Sequence, residues 1–271
     1  RRSWQNRYSF GECDFSGNPP LGQVDVVPYD TPDEILCRYK SIIFLGRNVM
    51  DKTLYGKLCA YVEQGGELLL TSAHLDTADR PGASYKPFKE GDWKRLFGVT
   101  IRKGQYSRLP FGLKFISNAP CGWQFPLASA NYDPDHAGSN FPMTIPDLCG
   151  AEVLCVGSDR WVEGSWHKGM PPVLTGYRFG KGYAMLVHSL DFPGAPSMQK
   201  FYGQLLDACA ESWDCYPRVE SSDRVRFAVY EDTLYLLNTE PNLVQNVRLF
   251  RSQEKVEHIN IAPGEMHVLE L

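Results

Sequence analysis

The feature that most constrains this chain is a pair of short, wholly apolar runs separated by a helical pattern. "SIIFLG" at residues 41–46 and "ELLLT" at residues 67–71 show no alternation of polar and apolar positions. A strand with one wet face alternates, whereas a strand covered on both faces does not. Between the runs, Asp51 precedes Leu54, Leu58, Tyr61 and Val62, which share one helical face, and Gly65-Gly66 closes the segment. An aspartate cap, a 3.6-residue stripe and a closing glycine predict a helix. Two doubly covered strands joined by a helix predict a β-α-β unit of a layered α/β sheet.

The flanks extend this pattern. "QVDVVP" at residues 23–28 reads as a strand, and "TPDEILCRY" as a helix with Thr31 as N-cap, Pro32 first and Glu34 third. "DWKRLFGVTI" reads as a short helix and a strand. Residues 102–150 lose periodicity and fill with Pro, Gly, Asn and Asp, which predicts a β-rich insertion. "AEVLCVG" resumes the strands, and "PPVLTGYRFGKGYAMLVHSLD" reads as a hairpin turning at Gly180-Lys181-Gly182. Met198, Phe201, Tyr202, Leu205, Leu206 and Cys209 mark a long amphipathic helix. After Pro217 come short strands at regular spacing, with Val225, Phe227 and Val229 alternating. The predicted fold class is α/β: a mostly parallel, doubly wound, flavodoxin-like sheet holding residues 24–27, 42–45, 68–70 and 154–156. It occupies residues 1–216 with the insertion at 102–150. A small antiparallel β-sandwich follows at 217–271.

Bulk properties remove several function classes. At 271 residues, one large or two small domains are expected, at roughly 150 residues each. A net charge of −4 and a pI near 5.9 give no basic footprint, so no nucleic-acid partner is expected. No run approaches the roughly 18 apolar residues of a membrane span, so no membrane partner is expected. The eight cysteines, at 13, 37, 59, 121, 149, 155, 209 and 215, form no Cys-x-x-Cys and no Cys/His zinc spacing. Reduced thiols and a cytoplasmic setting are the expectation, with no cofactor and no metal. Arg1-Arg2-Ser3-Trp4 is neither an initiator Met nor an apolar signal core, so the chain is expected to be a piece of a longer one.

The runs "VDVVPYDTPDEILCRYKSIIFLG", "YVEQGGELLLTSAHLD", "DWKRLFGVTI" and "GYRFGKGYAMLVHSLDFPG", in that order, resemble a known domain. It is the class I glutamine-amidotransferase-like (trimerisation) domain inside bacterial trimeric β-galactosidases of glycoside hydrolase family 42. The tail, "LYLLNTEPNLVQNVRL" and "INIAPGEMHVLEL", resembles the small C-terminal β-domain of those enzymes. The resemblance implies an amidotransferase-like sheet and a bacterial setting. It also implies an upstream catalytic barrel in the same protein and a homo-oligomer. Such enzymes cleave the glycosidic bond with two carboxylates on a (β/α)8 barrel of about 250 residues. This chain would then be a non-catalytic assembly part of a carbohydrate-active hydrolase. Sheet edges, residues 4–10 and residues 123–141 are the expected contact surfaces.

Two other readings stay open. True class I amidotransferases carry Cys on a Gly-x-Cys-x-Gly turn; here Ser72 stands between Thr71 and Ala73. Ser72 as nucleophile, His188 as base and Asp191 as orienter would make a hydrolase, because "HSLD" also lies at a strand end. The plainer alternative, a polar strand cap and a structural corner, is favoured, since a triad is defined by geometry. His74 and Asp76 are too few for a metal site. Trp123, Trp161 and Trp166 could stack on a sugar, and Trp4 could do so or face a partner, which defines a glycan-binding alternative. Large aromatics are more often core than site.

Overall fold

The computed structural model describes residues 25–44, 50–75, 88–89, 91–106, 112–127, 143–157, 169–190, 196–212, 217–222, 224–252 and 254–271. The chain divides into two compact units, one built on Pro28–Cys209 and the other on Ala210–Leu271.

In the first unit, a single helical turn α1 (Asp33–Leu36) leads to β1 (Ser41–Ile43). Pro32 is its N-cap, while Thr31 Oγ1 donates to Pro28 O, so the helix begins one residue later than a Thr31 cap implies. Helix α2 (Lys52–Gln64) starts where Asp51 Oδ1 accepts the Leu54 N–H at 2.8 Å, and ends at Gly65 with φ 128°. It buries Leu54, Leu58, Tyr61 and Val62, as its stripe requires. Strand β2 (Glu67–Thr71) is buried at every position. The glycine before it is forced by contact, because a Cβ on Gly66 would lie 2.1 Å from Cζ of Tyr61. There follow a 3₁₀ turn (Ser72–Leu75), α3 (Trp93–Phe97), β3 (Val99–Tyr106), β4 (Leu113–Phe115) and β5 (Met143–Leu148). Then come β6 (Glu152–Gly157), β7 (Pro172–Phe179), β8 (Gly182–Val187) and α4 (Pro196–Glu211).

The main sheet runs β1-β2-β8-β7-β6-β4. Strands β1, β2 and β8 are mutually parallel, with Ile42 beside Leu68 and Leu69 beside Met185. The β8–β7, β7–β6 and β6–β4 pairs are antiparallel. The sheet is therefore mixed, and the expectation of a mostly parallel sheet is corrected. For the β7–β8 pair the cause lies in the connection: a parallel neighbour needs a crossover of a dozen or more residues, and Gly180-Lys181 permits only a hairpin. Residues 154–156 do form a buried strand, but in the antiparallel half. Asp25–Val27 is not strand, and Val26 is 95 % exposed, so the expected first strand fails over these residues. Strands β3 and β5 of the insertion pair as a separate antiparallel ribbon.

Glu67, at the start of β2, ties three segments together. Its buried Oε2 accepts from Ser41 Oγ of β1 at 2.6 Å and from Trp123 Nε1 of the insertion at 2.8 Å. Asn118 Oδ1 accepts the Phe125 N–H in the same loop, and Phe125 stacks on Phe115 of β4 at 4.5 Å. Phe115 in turn stacks on Phe201 of α4 at 5.5 Å.

The second unit holds β9 (Arg218–Glu220), β10 (Val225–Tyr230), β11 (Thr233–Asn238), β12 (Gln245–Phe250), β13 (Val256–Ile261) and β14 (Met266–Glu270). They form two antiparallel three-stranded sheets, β10-β11-β14 and β13-β12-β9. Val219, Val225, Leu234, Leu236, Val247, Leu249 and Ile261 form their shared core. Asn238 is fully buried, its Nδ2 donating to the carbonyls of Leu243, Ile261 and Ala262.

Replacing Glu67 by Ala leaves the Ser41 hydroxyl and the Trp123 indole N–H without their acceptor in the interior. A stability loss of about 3 kcal/mol is expected in urea denaturation, with Glu67→Gln losing less because an acceptor oxygen remains.

Candidate functional site

Strand β2 ends at Thr71, and the chain turns through the 3₁₀ segment that holds Ser72 and His74. His74 Nδ1 accepts both the Thr71 N–H, at 3.2 Å, and the Thr71 hydroxyl, at 2.9 Å. A ring nitrogen that accepts a backbone N–H carries no proton, so the His74 proton sits on Nε2. The ring also meets Phe44 edge-on at 5.6 Å. The turn is thereby locked on itself.

Beside it lies the end of β8. His188 N–H donates to Val173 O, and His188 O accepts the Thr144 N–H, both at 2.8 Å. A Met143–Ser189 bridge seats β5 against the same segment. The side chains form a line: Ser72 Oγ to Thr144 Oγ1 at 2.9 Å, Thr144 Oγ1 to His188 Nδ1 at 3.3 Å, and His188 Nε2 to Thr175 Oγ1 at 3.0 Å. Thr71, Ser72, His74, Thr144, Thr175, His188 and Ser189 are all buried. Burial pushes the His188 imidazole down to about 3, so the ring is neutral near pH 7.

The structure thus brings Ser72 and His188 into one hydrogen-bonded line, with a hydroxyl from the insertion between them. A nucleophile needs its base in direct contact and a route for substrate. Here Ser72 Oγ lies 2.9 Å from the Thr144 hydroxyl, which stands between it and His188 in the line, and Ser72 has no exposed surface. A general base works best with a pKa near the operating pH, and His188 is driven far below it. The second ring nitrogen, where an orienting carboxylate would bind, faces Thr175. The arrangement joins β2, β5, β7 and β8 through neutral, mutually satisfied groups. Thr144 and Thr175 were missed by sequence reasoning. A threonine within a strand carries no signal of its own, and only the register brings these two to His188.

Trp123 is fully buried with its indole N–H on Glu67, so it offers no ring face to a sugar. Trp4, Trp161, Trp166, Asp76 and Asp191 lie outside the described residues. Cys37, Cys59, Cys121, Cys149, Cys155 and Cys209 are free thiols, and burial pushes Cys121 up to about 11 and Cys209 up to about 12. None of the described helices is long and apolar enough to cross a membrane.

His188 makes a pH-dependent contribution whose sign is determined. Its folded pKa lies below its unfolded value, so the unfolded chain binds the extra proton. Its contribution is complete above pH 6.5 and is lost as pH falls towards 3. Between pH 7 and pH 5 the wild type is expected to lose about 2 kcal/mol more stability than His188→Gln, as read from urea midpoints at the two pH values.

No family model matches the chain. It is 23% identical over 262 residues to β-galactosidase LacZ of Heyndrickxia coagulans, an alignment covering 90% of this chain and 34% of that protein. Among solved structures it resembles the β-galactosidase of Bacillus circulans sp. alkalophilus, with TM-score 0.55, 17% identity and coverage of 86% of this chain and 33% of the other. It also resembles the polyextremophilic β-galactosidase of the haloarchaeon Halorubrum lacusprofundi, with TM-score 0.54, 19% identity and coverage of 93% and 34%. The chain spans about a third of the length of the curated relative it matches. Over most of its own length, this chain is similar to one part of β-galactosidases.

Proposed function

We propose that this chain is a non-catalytic C-terminal accessory part of a β-galactosidase-like glycoside hydrolase, and that it mediates oligomer contacts. The observation that carries the reading is the asymmetry of coverage: nine-tenths of this chain matches one third of a β-galactosidase. The remaining two thirds of such an enzyme leaves room for a carboxylate-bearing barrel. Here the described strands are committed to a mixed sheet, a ribbon and a two-sheet sandwich. In this reading residues 1–216, with the insertion at 102–150, form an amidotransferase-like domain and residues 217–271 a C-terminal β-domain. The partners are an upstream barrel of the same protein and further copies of the chain.

The Ser72–Thr144–His188 line supports a second reading, an amidotransferase-like hydrolase that uses Ser72 and His188. Burial and the interposed hydroxyl weigh against it. The isolated chain is expected to release no nitrophenol from nitrophenyl β-galactoside and no ammonia from glutamine above a buffer blank. Turnover of glutamine that disappears in Ser72→Ala establishes the second reading, and galactoside turnover by the chain alone rules out a non-catalytic role.

A further inference from the structure

We draw no further inference here: the strongest candidate, the apolar patch of Leu237, Met266 and Val268 on the outer face of the β10-β11-β14 sheet, carries nothing because no feature of the structure shows what covers it.

Discussion

An acidic side chain at the first position of a fully buried strand imposes a demand on everything around it. Burying such a group without partners costs several kcal/mol, so β2 can be covered only where Glu67 finds donors. It finds them in Ser41 on the neighbouring strand and Trp123 in the insertion. That requirement couples parts that no local rule joins. The Trp123 loop is seated against the sheet, Phe125 follows it onto Phe115, and Phe115 meets Phe201 of α4. The insertion is consequently part of the core of the first unit.

The opposite end of β2 meets the same difficulty with neutral groups. Hydroxyls of Ser72, Thr144 and Thr175 line up with the His188 imidazole, and burial keeps that ring uncharged. The place where open α/β sheets usually expose their chemistry is here closed by a strand of the insertion. Residue types alone make Ser72 and His188 look like a nucleophile and base. In the structure one hydroxyl stands between them and both are buried, in a line that links segments of four strands.

Similarity to about a third of a β-galactosidase gives this closed site a context. In the proposed accessory reading, no exposed nucleophile is required of it. The second unit has an ordinary apolar sandwich core, held at one corner by buried Asn238.

Much of the fold was legible in the sequence because its causes are local. Asp51 and Asp92 cap their helices through their own side chains, Gly65 and Gly98 end them, and the alternation of Val225, Phe227 and Val229 sets one side of a strand inwards. The short Gly180-Lys181 link specifies a hairpin, which sets β7 antiparallel to β8, and says nothing of the β7–β6 and β6–β4 pairs. An apolar run such as "EVLCV" specifies burial on both faces and says nothing about strand direction. Nor did "QVDVVP" reveal that Asp25–Val27 would remain outside the sheet, since β-branched residues favour a strand only where a neighbour is available to pair. The candidate site divides the same way. Ser72 and His188 could be named from their strand-end positions, but Thr144 and Thr175 could not, because nothing near them in sequence marks them. Local propensity determined the elements, their caps and their buried faces. Only the tertiary structure decided strand direction, the seating of the insertion and the separation of Ser72 from His188, because each depends on groups far apart in the chain satisfying one another where water is excluded.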